Sequence, residues 1–569
     1  MWKHEPTEYV DISTIGIDDV PQTPAPLPSS SDKATISYWM ATTPHHSLPA
    51  SIDYLPEKTD VLIIGSGITG VSTAYHLVNA VPPSLPFTPS ISKITIIEAR
   101  SFCSGATGRN GGHLTAASAL AYTDIAANPN HLLGDRISSL QADGIKSESA
   151  KAVEEILTFE ANTANAIRSI IAQEHAEEQV GFTDNTNWHV CVEQAEVDEF
   201  EHSLAQAAKH DGLQSFVQCV RRVPKDEVDQ RMNNPTGIVA VYEIPGATLH
   251  PRKLVNVIYK RAQAIAASKN IVLNLVTDLP VLKVSSQNQE YSIASTSKGD
   301  IRAKYVVHAT NGYASHLLPH LSSSDGGIIP TRAQVVAVTP LLSQSHLWGM
   351  GLSAGGGYEY GHQRPLTDSS SPPYIMGGGR EYATGREWGV ADDTLLNPQV
   401  SAFLHPYLKK MFPESYGDDL ESEWTGIMGY TKTKDPLVGP VPWPEKEQEG
   451  ESKRSAKEYI AAGYSGHGMT RAFGCAEAVA EMIWADVMGK RWETKWPFPE
   501  CYLTAPARAQ WNAVKVQVQP SPTKMQQVNS QTSTCASTDA PRASKEAKCS
   551  VSSSKPPSTG TYAGCCIVT

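Results

Sequence analysis

The sequence predicts an α/β protein with a Rossmann-type nucleotide-binding domain. Three observations carry this. VLIIG at 61–65 is a short β-branched run, as expected of a strand buried in a parallel sheet. ITGVSTAYHLVNA follows it, with Val71, Ala74, Tyr75 and Val78 at helical spacing. A proline-rich loop, VPPSLPFTPS, breaks that helix, and KITIIEA at 93–99 returns as a second strand. Together these make one β-α-β unit.

The turn inside that unit reads Gly65-Ser66-Gly67-Ile68-Thr69-Gly70, which matches G-x-G-x-x-G between a strand and a helix. The first glycine permits a tight turn, the second lets a pyrophosphate approach, and the third lets helix and strand pack closely. Ile68 and Thr69 open the helix, whose free N–H groups and positive dipole end suit phosphates. The second strand ends at Glu98, placed to accept hydrogen bonds from a ribose diol. A dinucleotide site is expected here.

Composition bounds the rest. The chain has 569 residues, 40% hydrophobic and 19% charged, enough for two or three domains with a large core. A formal charge of −12 argues against nucleic acid as a partner. Nine cysteines lack C-x-x-C spacing, so neither a disulfide framework nor a zinc site is expected, and no metal site is assigned. The opening MWKHEPTEYVDIS lacks a signal-like pattern and no apolar run could span a bilayer, so a cytoplasmic setting is expected.

Further along, a long helix is expected over roughly 136–178, a strand at WHVCVEQ and a helix at AEVDEFEHSLAQAAKH. KYVVHATNGYA and YIMGGGR read as strands running into glycine turns, and YIAAGYSGHGMTRAFGCAEAVAEMIW as strand, loop and helix. Residues 1–35 read as a disordered arm, 36–54 as a lead-in, and 515–569 as a disordered low-complexity tail.

CSGATGRNGGH at 103–113 decides which dinucleotide is meant. Its four glycines let the chain run flat beneath an aromatic ring system, while Thr107 offers a hydroxyl. A nicotinamide enzyme needs no second glycine bed here, whereas a flavin is held along much of its length.

With SYWMATTP, DVLIIGSGITGVSTAYHL, GATGRNGGH, HATNGYA, EWTGIMGYTKTKDPLVGP and AGYSGHGMTRAFGCAEAVA in this order, residues 36–500 resemble the FAD-dependent D-amino-acid oxidase superfamily, and within it the γ-glutamylputrescine oxidoreductase-like branch. The resemblance implies a glutathione-reductase-like FAD domain over 55–160, 236–330 and 420–505. It implies a second, mixed-sheet α+β substrate domain over 161–235 and 331–419, so that both domains are discontinuous in sequence. Gly65, Gly67 and Gly70 would cradle the pyrophosphate and Glu98 the adenosine ribose. Val281 would meet adenine, and Ala309 and Thr310 the ribose and phosphates. Thr107, Asn110, Gly111 and Gly112 would bed the flavin, with Gly466, His467, Gly468 and Met469 at its pyrimidine end. A helix start there would also answer the negative charge of the reduced ring.

Two departures stand out. Some relatives tether the flavin through a cysteine in the segment where this chain has Met428, and others through a histidine where it has Arg109. Non-covalent FAD is therefore expected. The resemblance also implies oxidation of a C–N bond in a small amine or amino acid, with hydride passing to flavin N5. An imine results, and oxygen as acceptor gives peroxide. The alternatives are a dehydrogenase with another acceptor, or a low-turnover, flavin-bound, membrane-associated interaction protein. Candidate pocket residues are His113, Arg332, Gln334, Tyr358, Tyr360, Arg380, Trp424 and Tyr430. An arginine could hold a carboxylate bidentately, and tyrosines could flank a cationic amine.

The chain finishes Cys565-Cys566-Ile567-Val568-Thr569, which fits C-a-a-X although threonine is not typical in last place. Lipidation of Cys566, with Cys565 as a second acyl site, would attach the protein to a membrane.

Overall fold

The computed structural model describes residues 17–518, apart from 21, 81–90, 288–289, 344–345, 368–370, 445–456 and 495–496. Two sheets organise these residues. The first has eight strands. Lys58–Ile64 lies at its centre, parallel to Lys93–Ile97 on one side and Gly299–His308 on the other. Val272–Val276 extends the sheet beyond Lys93–Ile97, and Glu458–Ala462 extends it beyond Gly299–His308, both in parallel. Leu437–Pro440 closes that edge antiparallel to Glu458–Ala462.

The central strand has no polar face because both faces are covered. Val61 and Ile63 pack beneath the helices Ile68–Asn79, Pro251–Ser268 and Gly468–Val487. Leu62 and Ile64 pack on the other side against Val284 and Ala294 of the hairpin Val281–Gln287/Tyr291–Thr296. The unbroken apolar run at 61–64 follows from this two-sided burial. The long helix expected over 136–178 runs from Ala142 to Gln173, after a 3-10 turn at Gly134–Ser139.

The second sheet has nine strands in the order Tyr416–Tyr430, Ile329–Pro340, Tyr374–Gly377, Glu359–Gln363, Gly351–Ala354, Thr183–Cys191, Ala240–Thr248 and His113–Leu114, with Arg221–Arg222 added on Ala240–Thr248. Its pairs are antiparallel except Gly351–Ala354 on Thr183–Cys191. Three strands, His113–Leu114, Ala240–Thr248 and most of Tyr416–Tyr430, differ from the sequence reading, which put them with the nucleotide-binding residues. Tyr416–Tyr430 pairs with Ile329–Pro340 from Ile329↔Tyr430 to Pro340↔Tyr416, so its backbone hydrogen bonds belong to the second sheet. Ala240–Thr248 pairs along its length with Thr183–Cys191.

The expected disordered arm is also corrected. Residues 22–35 lie on the body because small side chains fit against it and backbone groups find partners. Ala25 and Ala34 are buried. The Ala25 N–H donates to Ser315 Oγ at 2.9 Å, and the Thr35 N–H to the Asp393 carbonyl at 2.9 Å. At the other end, helix Ala505–Val518 runs past the expected tail boundary at 515. The remainder of that tail, with Cys565 and Cys566, lies outside the described residues. No described helix is long and apolar enough to cross a membrane.

Candidate functional site

Residues from both sheets line a single elongated cavity of about 980 Å³. Its first stretch is built on the β-α-β unit. Gly65 has φ +111°, and a Cβ there would sit 2.6 Å from the Ala309 carbonyl oxygen, so only glycine fits. Gly70 does not line the cavity; it packs on the Gly65 carbonyl, where a Cβ would come within 1.9 Å. Gly67, Ile68, Thr69, Ala309 and Thr310 line the wall beside Gly65. Thr310 Oγ1 is buried with no hydrogen-bond partner, so a group entering the cavity can satisfy it. Glu98 is held in place: Oε2 accepts from the Ser66 N–H at 2.9 Å and the Ser66 hydroxyl at 2.8 Å, and Oε1 from the Arg100 N–H at 3.0 Å. Val281 and Pro280 close this end together with Leu27 and Pro28 of the N-terminal segment.

The second stretch is the glycine bed. Thr107 lines the cavity, but its Oγ1 first accepts the Ile68 N–H at 3.1 Å, tying the bed to the start of the helix. Asn110, Gly111 and Gly112 follow. A Cβ on Gly111 would meet the Tyr360 ring at 2.4 Å, so that ring lies directly against the bed. Three side chains hold the bed from behind. Ser37 Oγ donates to the Gly108 carbonyl at 2.6 Å, Trp39 Nε1 to the Asn110 carbonyl at 2.6 Å, and Trp424 Nε1 to the Arg109 carbonyl at 2.8 Å. Arg109 donates from Nε to Ser104 O at 2.8 Å and from an Nη to Thr425 O at 2.8 Å. Burial draws its guanidinium down to about 10, against the pull of Asp393.

The C-terminal ends of two strands, Glu458–Ala462 and Tyr416–Tyr430, bring Gly466, His467, Gly468 and Met469 to the same cavity as Met428. The helix Gly468–Val487 starts there with no side-chain cap at His467, leaving its first N–H groups for a ligand. Burial, with Arg471 nearby, lowers the His467 pKa.

Beyond the bed the lining changes to Tyr358, Tyr360, Arg380, Glu381, Trp388 and Tyr430. Arg380 is 6% exposed and packs against two rings, its Cζ 4.4 Å from the Trp388 centroid and 4.8 Å from that of Tyr430. The two rings meet edge to face at 4.9 Å. Arg380 also donates to the Arg386 carbonyl at 3.2 Å. Burial raises the Tyr430 pKa, so its hydroxyl is neutral. Tyr358 is 46% exposed and marks the mouth. His113 shares Nε2 with the Gly361 carbonyl at 3.2 Å, and burial takes its pKa down to about 4. Its imidazole is neutral near pH 7.

Three sequence candidates lie off this cavity. Arg332 forms an ion pair with Glu387 and donates to the carbonyls of Asp392 and Leu395 at 3.2 Å. Gln334 donates to Glu423 at 2.6 Å, and Trp424 is fully buried behind the bed. Conversely, Trp388, Glu381, Leu27 and Pro28 were not foreseen. Nothing in REYATGREWG signals that Trp388 folds back onto Arg380, because the contact depends on a chain reversal through positive φ at Gly385, Arg386 and Glu387.

This parallel-sheet turn, glycine bed and roofing sheet define a dinucleotide-binding flavoenzyme. Residues 60–482 match the model of the DAO family, described as FAD dependent oxidoreductase, and the chain belongs to that family. Its cofactor is FAD, and it is an enzyme. Among curated proteins it is 25% identical over 453 residues to a probable oxidoreductase, OrdL, of Rhizobium meliloti (strain 1021), covering 78% of this chain and 87% of that one. It is 24% identical over 461 residues to γ-glutamylputrescine oxidoreductase of Escherichia coli (strain K12), covering 79% and 89%. Glycine oxidase from Geobacillus kaustophilus shares the fold with TM-score 0.54 at 16% identity, over 78% of this chain and 97% of that one. L-proline dehydrogenase from P. horikoshii does so with TM-score 0.52 at 20% identity, over 80% and 99%.

Proposed function

We propose that the protein oxidises a carbon–nitrogen bond of a small amine or amino acid. The observation that carries this is Arg380, packed against both Trp388 and Tyr430 on the wall of the cavity that contains the glycine bed. The reading also draws on the relatives named γ-glutamylputrescine oxidoreductase and glycine oxidase.

When bound, FAD would be held non-covalently and would supply a two-electron acceptor for hydride, with oxygen as the final acceptor and hydrogen peroxide as the product. Gly65, Gly67, Ile68 and Thr69 would face its pyrophosphate, with Gly70 closing the turn behind them. Glu98 would meet the ribose, Val281 the adenine, and Ala309 and Thr310 the span between. Thr107, Asn110, Gly111 and Gly112 would bed the ring, and Gly466 to Met469 would meet its pyrimidine edge. Arg380 would hold a substrate carboxylate, its rotamer fixed by the two rings. Tyr360 and Tyr430 would flank the nitrogen. His113 is neutral and adds no positive charge that would oppose an ammonium ion on entry. Burial in this pocket favours the neutral amine, the form that gives up hydride. Buried free thiols at Cys103, Cys191, Cys475 and Cys501 fit a reducing, cytoplasmic setting.

The test is the visible spectrum of purified protein, followed without oxygen as amines and amino acids are added. A flavin band bleached by one compound, with peroxide on readmitting air, supports the reading. A band that dithionite bleaches and no amine or amino acid does would count against it.

A further inference from the structure

Glu160 lies outside the cavity lining, on the helix Ala142–Gln173, and is fully buried. Its Oε2 accepts from the Ala117 N–H and the Thr470 hydroxyl, each at 2.9 Å, and its Oε1 accepts from Arg471 Nε at 2.7 Å. From there Arg471 donates through an Nη to the Lys434 carbonyl at 2.9 Å and to Asp435 Oδ1 at 3.3 Å. Ala117, Lys434 and Thr470 all line the cavity. One buried ion pair therefore joins three wall segments that are remote in sequence: the loop after the glycine bed, the 431–435 turn, and the first turn of the Gly468–Val487 helix.

Removing two ions from water is costly, and an apolar pair of the same volume often stabilises a fold as well or better. Stability alone is a weak reason for this arrangement. Its position supplies another. Arg471 is the fourth residue of a helix whose uncapped start opens on the cavity, so its charge adds to the positive end of the helix dipole. Glu160 and Asp435 both offset that charge, and Asp435 is itself shared with His131 Nε2 at 2.8 Å.

We propose that Glu160 and Arg471 are positioning residues that set the electrostatic potential at the pyrimidine end of the FAD site, and through it the reduction potential of the bound flavin. This rests on the placement of that end of the ring at Gly466–Met469. The sign follows directly. Without Glu160 the Arg471 charge is less compensated, the field at the helix start becomes more positive, and the reduced, more negative flavin is favoured. Loss of Arg471 does the opposite. A merely structural pair would shift the potential in no ordered way, since either loss would loosen the same three segments.

The experiment compares midpoint potentials of FAD-loaded wild type, Glu160→Gln, Arg471→Gln and the double variant, titrated with dithionite beside a reference dye. Expected is a rise in Glu160→Gln of about tenfold in the reduction equilibrium, ~30 mV for a two-electron couple. Arg471→Gln should fall by a similar factor, and the double variant should return close to wild type. Shifts in the same direction, or none in folded, flavin-loaded variants, would overturn the proposal. If Glu160→Gln does not fold, Asp435→Asn takes its place, with a rise expected and an unchanged or lowered potential overturning the idea. Dithionite needs no amine, so an error in the substrate assignment would appear as an amine panel that bleaches nothing while the potentials remain measurable.

Discussion

The Trp39 indole N–H donates to the Asn110 carbonyl at 2.6 Å, joining a segment that precedes the first strand to the middle of the glycine bed. Trp39 is fully buried, stacked at 6.4 Å on His362, which itself shares Nε2 with the Gly111 carbonyl at 2.9 Å. Four successive carbonyls of the bed, those of Gly108, Arg109, Asn110 and Gly111, each have a side-chain hydrogen-bond partner: Ser37, Trp424, Trp39 and His362. Trp39→Phe keeps most of the ring and removes the donor, at a cost of about 1–3 kcal/mol. We expect the FAD dissociation constant to rise about tenfold in a fluorescence titration. Unchanged affinity would mean that the bed needs no such support.

Gly65→Ala tests the turn. Alanine would have to adopt φ +111° with its Cβ 2.6 Å from the Ala309 carbonyl oxygen. The variant should purify without flavin, read as the ratio of visible to ultraviolet absorbance. A stoichiometric flavin content would refute the close approach.

Arg380 and Arg332 should separate cleanly. Arg380→Lys keeps the charge but loses the planar group packed against Trp388 and Tyr430, so KM for a carboxylate-bearing substrate should rise roughly 10- to 100-fold. Arg332→Gln instead leaves buried Glu387 short of a partner, and should lower stability by about 3 kcal/mol with KM unchanged. Steady-state kinetics beside thermal melts decide it. Equal KM effects would show that Arg332 reaches the substrate after all.

Stability should also depend on pH through buried imidazoles. Burial lowers His113 and His189 from an ordinary 6.5 to about 4, so each stays neutral in the folded protein while the unfolded chain takes up a proton below about 6.5. Their contribution is complete above that value and is lost progressively as pH falls towards about 4. In urea melts at pH 7.5 and 5, His189→Asn should lose less stability on acidification than wild type does. An equal loss would remove His189 from the account.

The parts legible in the sequence were those in which one local pattern meets one local need. The G-x-G-x-x-G turn, the strand ends at Ile64 and Ile97 and Glu98 sit within forty residues, and all but Ser66 and Gly70 of these line one cavity. Glycines at 111–112 and 466–468 announce close approach without naming what approaches, yet they too reach the cavity. Arginines were harder, because the sequence shows the charge and conceals the partner. Arg332 finds Glu387 fifty-five residues away, whereas Arg380 finds two aromatic faces. Sheet membership was lost at Tyr416–Tyr430 for a related reason: a long strand with a polar first half shows its partner only through backbone hydrogen bonds. The N-terminal residues were misread because proline-rich polar composition cannot reveal that Asp393 and Ser315 supply their partners.

Those N-terminal contacts also set an order of assembly. Thr35 bonds to Asp393 and to Thr425, and Ala25 to Ser315, all made hundreds of residues later. A chain synthesised from its N-terminus must carry residues 22–35 undocked until those partners have emerged. Leu27 and Pro28 line the same cavity as Val281, so that part of its wall is completed only after residues translated hundreds of positions later are in place.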